Sequence, residues 1–219
     1  MKSILTPFQK TILDGLCSEA FITQNFRFAG GTALSEFYLH HRYSEDLDFF
    51  SDKEIPIEEV KIKLTPIFKK IGVETIEYRE ALASKIFFLK KGQRETVKAD
   101  FNFWPLKRFA KGKAHKGLEI ESLLDIALSK LDTILTRKNA RDFVDFYFIQ
   151  KENPFDLNML LKKLEKKTDW KMDRLFVGSC FLKIEKLKDY PKIIKEFSKQ
   201  DMIEYFISLA KEQKGKIVY

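Results

Sequence analysis

The hydrophobic period of this 219-residue chain changes once, and that change limits what it can fold into. Up to about residue 105 short runs with apolar residues at alternate positions are interleaved with helical ones, whereas from about Leu118 onward apolar residues recur every three or four positions. Such a chain builds a sheet first and a set of helices afterwards. The expected class is α+β, a small mixed β-sheet flanked by helices and followed by a C-terminal helical bundle. The runs FRFA, LDFF, VETIEYRE, KIFFLKKG and ETVKADFNFW predict strands, the last two turning near Gly92. Thr6-Pro7 predicts a helix start, with Thr6 as the cap and Phe8, Ile12, Leu13 and Leu16 on one face. ALSEFYLHHRY has helical character, and IEEVKIKLTPIFKKIG predicts a helix kinked or stopped before Pro66. In the second half IESLLDIALSKLDTILTR carries Leu124, Leu128, Leu131 and Leu135 on one face. RDFVDFYFIQ, LNMLLKKLEKK, RLFVGSCFLKIEKL, PKIIKEFSK and DMIEYFISLAKE predict further helices. The Lys- and Gly-rich segment KRFAKGKAHKG is the natural linker, dividing residues 1–115 from 116–219.

Composition removes several classes. At 44% hydrophobic and 33% charged the chain is neither disordered nor fibrous. No stretch approaches the ~18 apolar residues of a membrane span, and MKSILTPFQKTILDGL is interrupted by Pro7, Gln9, Lys10 and Asp14. A cytoplasmic protein with no membrane partner is therefore expected. Cys17 and Cys180 lie far apart in apolar surroundings, which provides neither a disulfide framework nor a zinc cluster. Of the net charge of +8, residues 1–110 carry +2 and residues 111–219 carry +6. A basic half points to a polyanionic partner such as nucleic acid or nucleotide phosphate. Lysine-rich runs such as LLKKLEKK also read simply as solvated helix faces.

The chemistry concentrates in FAGGTALSEFYLHHRYSEDLDFF. Gly30 and Gly31 allow close approach of a phosphate to the main chain, and Thr32 is placed to cap the helix that begins there, whose free amides attract anions. Asp46 and Asp48 are two apart, so on a strand both carboxylates share a face while Leu47 and Phe49 enter the core. Two such charges ~4 Å apart repel by about 4 kcal/mol at an effective dielectric of 20, so they require a cation or a basic partner. Magnesium, which takes one or two carboxylates and completes its shell with water and phosphate, suits them. Asp100 lies in ETVKADFNFW between Ala99 and Phe101, and alternation turns it to the opposite face from both. If its strand lies beside LDFF, the three acids converge as a two-metal phosphoryl-transfer site requires. His40, His41 and His115 have no metal-ligand spacing with any cysteine.

A strand ending in Gly-Gly, a helix, an Asp-x-Asp strand and a later strand with one Asp resemble the DNA polymerase β-like nucleotidyltransferases. GGTAL followed by HRYSEDLDFF, and later KLDTILTRKNARDFVDFYFI, are similar to the signatures of the AbiEii/AbiGii toxin family within them. The motifs cover residues 26–50, 98–103 and 130–148. The resemblance implies a nucleotidyltransferase core over 1–115 and a helical domain over 116–219. It makes Asp46, Asp48 and Asp100 ligands of two Mg2+ ions, and Gly30, Gly31 and Thr32 the triphosphate cradle. Arg42 would contact phosphate or hold its loop, and Ser44 would orient the same turn. Lys130 and Arg137, seven apart, would share a helix face and reach the triphosphate or the acceptor. Asp142 and Asp145 either join that site or pair with Lys138 and Arg141 one turn earlier.

The function so implied is Mg-dependent transfer of a nucleoside monophosphate from a nucleoside triphosphate to a hydroxyl, with RNA, and in particular the 3′ end of tRNA, as the expected acceptor. The biological role would be the toxin of a type IV bacterial toxin–antitoxin or abortive-infection system, beside a separately encoded antitoxin. The alternatives are an enzyme that nucleotidylates proteins, or a non-catalytic RNA- or partner-binding module on the same fold.

Overall fold

Thr6 and Gln9 cap the first helix reciprocally: the Thr6 hydroxyl accepts from the Gln9 backbone N–H at 3.1 Å, and the Gln9 side chain accepts from the Thr6 N–H at 2.9 Å. In the computed structural model, which describes residues 3–81 and 83–215, this helix is α1 (Pro7–Cys17). It is followed by α2 (Ala20–Asn25), β1 (Arg27–Ala29) and α3 (Gly30–Leu34). The last runs on as a π-helical turn over Ser35–Leu39 and ends at His40 in the left-handed region. Next come β2 (Leu47–Ser51), α4 (Ile57–Lys70), β3 (Thr75–Ala81), β4 (Ser84–Lys91), β5 (Glu95–Phe103), β6 (Ala114–His115) and β7 (Leu118–Ile120). The helices α5 (Leu123–Thr136), α6 (Ala140–Glu152), α7 (Leu157–Thr168), α8 (Arg174–Phe181) and α9 (Lys199–Gly215) complete the chain.

Contacts divide the chain into two units. One comprises the chain through Leu106 together with Ala110–Leu123; the other comprises Lys107–Phe109 and the chain from Leu124 onward. The first holds a seven-stranded mixed sheet in the order β3-β4-β5-β2-β1-β7-β6. β2 pairs with β5, and β1 with β7, in parallel; the other neighbours are antiparallel. Its core is aromatic: the Phe49 and Phe101 rings stack at 4.8 Å, and Phe28 and Phe87 pack within 5.2 Å and 5.7 Å of them. α4 covers this core with Val60, Leu64 and Phe68, all fully buried. The second unit is helical, with α5 burying Leu128, Leu131, Ile134 and Leu135. There Phe206 of α9 meets Phe143, Phe146 and Phe181 at 4.9, 6.2 and 5.7 Å.

Three expectations need correction. Of the two alternatives at Pro66, the stop does not occur: α4 runs through it to Lys70, and Pro66 and Ile62, whose carbonyl loses its amide partner there, both lie on the exposed side, where that carbonyl is open to solvent. The stretch expected to be linker and then helix contains β6 and β7 instead, and helix begins at Leu123. Leu118 and Ile120 are fully buried against β1, and that pairing overrides a spacing that three residues cannot define. PKIIKEFSK is not helical; helix resumes at Lys199. Its Phe197 ring instead packs among Tyr147, Phe148 and Tyr190 at 6.0–6.4 Å.

Candidate active site

The two strand pairings flanking β2 assemble the site. β1 places Ala29 opposite Asp48, and β5 places Asp100 opposite Asp48 on the other side. Gly30, which follows Ala29, has φ +72°, and a β-carbon there would stand 2.1 Å from Asp48 Oδ2. A β-carbon on Gly31 would stand 2.3 Å from Arg42 Nη2 and 3.3 Å from Ser44 Oγ. The glycine pair therefore admits an acid on one side and a guanidinium on the other, each directly against the main chain. Arg42 is buried, and its Nη1 donates to the Tyr43 carbonyl at 2.8 Å. Thr32 does not cap α3. The cap position belongs to Ala29, and the fully buried Thr32 hydroxyl donates to the Asp46 carbonyl, tying the helix to the start of β2.

Asp46, Asp48 and Asp100 gather around a residue that the motif reading passed over. Lys98 Nζ lies 2.6 Å from Asp100 Oδ2 and 3.6 Å from Asp46 Oδ2. Its signal was available, since two residues before Asp100 on one strand means the same face. Burial opposes the Lys98 charge, but the hydrogen bond to Asp100 and the charges of Asp46, Asp100 and Asp48 outweigh it and hold its pKa above the usual lysine value. For Asp100, which is 8% exposed, burial wins: its pKa is raised, helped by the Asp46 charge and opposed by Lys98. The other carboxylate oxygen of Asp100, Oδ1, is buried without a hydrogen-bond partner. Gln9 is a second missed residue. Its amide donates to the carbonyls of Ser44 and Glu45 at 2.9 and 2.8 Å, fixing the loop that delivers Asp46.

Among the described residues no three Asp, Glu, His or Cys side chains stand as a ready-made metal cage, and Lys98 supplies the positive charge the aspartates need. The donor set nevertheless fits a divalent ion: oxygen ligands only, one of them the unpartnered buried Oδ1 of Asp100.

The remaining predicted residues belong to the helical unit. Lys130 on α5 reaches Asp142 Oδ1 at 2.8 Å and Asp145 Oδ2 at 2.7 Å, both on α6, and all three side chains are buried. The two acids thus pair with Lys130, not with Lys138 and Arg141 of the preceding turn. Arg137 is not brought to this cluster: α5 ends at Thr136, and Arg137 is exposed beyond it.

A mixed sheet that places an acid from each of two parallel strands beside a glycine turn is the setting in which the comparisons with known proteins are informative. The model of the nucleotidyl transferase AbiEii toxin family, of type IV toxin–antitoxin systems, matches residues 11–208. The chain belongs to this family. Membership makes it a nucleotidyltransferase and implies a nucleotide substrate, a divalent metal and an antitoxin partner. An uncharacterized protein of Aquifex aeolicus (strain VF5) is 27% identical over 207 residues, which is 90% of this chain and 93% of that protein. The fold is shared with a candidate nucleotidyltransferase from H. pylori (TM-score 0.60, 21% identity, 94% of this chain and 92% of that one). It is shared too with JHP933 from Helicobacter pylori (TM-score 0.59, 20% identity, 94% and 89%). Among the described residues no helix of this AbiEii-family chain is long and apolar enough to cross a membrane.

Proposed function

We propose that this toxin-family enzyme is a cytoplasmic Mg-dependent transferase that moves a nucleoside monophosphate from a nucleoside triphosphate to a hydroxyl of RNA, with the 3′ end of tRNA as the leading acceptor. The new bond joins the acceptor oxygen to the α-phosphorus; the bond to the bridging oxygen breaks in line, and pyrophosphate leaves. Asp46, Asp48 and Asp100 would hold two magnesium ions, which supply a lowered hydroxyl pKa and neutralisation of charge on the leaving group. The rest falls to the chain's own groups. Gly30 and Gly31, the turn assigned to the triphosphate, let Asp48 and Arg42 close directly against the main chain, and Arg42, buried against Gly31, contributes a fixed positive charge there. Thr32 and Ser44 keep the turn and the Asp46 backbone in place. In the helical unit Asp142 and Asp145 hold the buried Lys130 ammonium between α5 and α6.

The observation that carries this reading is the β2–β5 register, which sets Asp100 beside Asp48 with one carboxylate oxygen buried and unpartnered. The test offers each α-labelled nucleoside triphosphate, with Mg2+, to total RNA and to cell lysate. Label should enter RNA with the wild-type protein and should be lost with Asp46→Ala, whose circular dichroism should stay native. Label in protein alone would replace RNA with a protein acceptor. Incorporation that persists in the variant would remove the catalytic assignment.

A further inference from the structure

The helical unit holds a cleft of about 380 Å³ that the site above does not use. It is formed where the Phe109 ring faces α7, and Lys162, Lys163 and Lys166 line it. The volume is in the range of small-ligand sites. Among the described residues none of these three lysines has an acidic partner, whereas the neighbouring Lys167 is buried and paired with Asp125 at 3.4 Å. Their helix face is therefore not a lattice of i,i+4 ion pairs, the arrangement that would neutralise it. The single carboxylate in the lining, Asp156, is engaged in capping α7 through the Met159 N–H at 2.7 Å. Phe109 is held by its own backbone, whose N–H donates to both oxygens of Asp125 at 3.1 and 3.2 Å. Its ring draws the ammonium groups of Lys163 and Lys107 to 4.5 and 5.6 Å from its centroid, so its π face is turned to cations.

We infer that this cleft binds a single-stranded RNA, one base on Phe109 and consecutive phosphates on Lys162 and Lys166. Unneutralised lysines one helical turn apart, about 6 Å, match the step between successive phosphates of an extended strand. An aromatic ring beside such a row is how proteins hold unpaired strands without reading sequence. A base that enters takes the ring face, and Lys163 turns to its phosphate. The inference rests on the transfer reading only for the strand's purpose as acceptor.

The test is fluorescence anisotropy with a labelled single-stranded RNA of about 12 nucleotides, without triphosphate or divalent ion, so that binding and transfer can fail separately. The protein is wild type, Lys162→Glu/Lys166→Glu, Phe109→Leu, or the control Lys69→Glu/Lys70→Glu, which changes net charge equally at an exposed end of α4 in the other unit. The cleft pair should weaken binding at least about tenfold and reduce the slope of log affinity against log salt by about 1.4, the share of two single-strand phosphate contacts. Phe109→Leu should weaken binding by about fivefold or more with the slope unchanged, because stacking and not charge is lost. Equal losses from the control pair and the cleft pair, or wild-type binding by the cleft pair, would overturn the inference whatever the transfer assay returns.

Discussion

Gly30 and Asp100 have their requirements written into their immediate surroundings. At Gly30 the backbone is left-handed and Asp48 Oδ2 occupies the space a methyl group would need. Gly30→Ala should therefore lose roughly 1–2 kcal/mol from backbone strain alone, more from displacing Asp48, and should lose transfer with it. A thermal melt run beside the activity assay checks both. Asp100 presents the opposite balance. Its pKa is raised in the folded protein, so the carboxylate's contribution to stability is complete below the ordinary aspartate range and declines as pH rises through the folded value. Asp100→Asn mimics the protonated form. Without divalent ions it should melt higher than wild type at pH 7, with the gap closing as the solution is acidified, while transfer is abolished. A variant that melts lower than wild type at pH 7 would show that Lys98 compensates the buried charge more fully than burial penalises it.

The elements that carry these residues differ in how openly they announce themselves. Asp48 and Asp100 are legible because strand alternation names the face of every second residue, and the structure pairs the two directly, whereas Asp46 stands one residue before β2 on the loop held by Gln9. Lys98 obeys the same alternation but reads as a surface lysine until the acids around it are known. β6 and β7, of two and three residues, are too short to show any period; β7 is placed by pairing with β1, and β6 by pairing with β7. Residues 191–198 fail as a helix for a similar reason: Phe197 is claimed by rings distant in sequence, which local spacing cannot express. Arg137 was placed by counting turns past the point where α5 stops. α1 offers a test at this scale, since Gln9 serves both its cap and the Ser44–Glu45 loop. Gln9→Leu should cost about 1–2 kcal/mol in a denaturant titration and should also lower kcat/KM, which Thr6→Ala, losing the cap alone, should leave near wild type.

Across the whole molecule the chain does not divide at a single point, because Lys107–Phe109 belong to the helical unit while Ala110–Leu123 return to the sheet. A fragment of residues 1–115 would keep the acids yet lack β7, whose Leu118 and Ile120 are fully buried beside β1. It should be insoluble or molten, whereas residues 1–123 should give a cooperative melt; equal behaviour of the two would show that β7 is dispensable to the sheet. The β2–β5 register carries a further consequence. One codon inserted between Glu95 and Asp100 would shift the phase of β5, turning a carboxylate inward and Ala99 or Phe101 outward. Misaligned acids and a spoiled hydrophobic interior are then the same event, so a register shift of this kind, unlike the point variants Asp46→Ala and Asp100→Asn, yields no well-folded but inert protein.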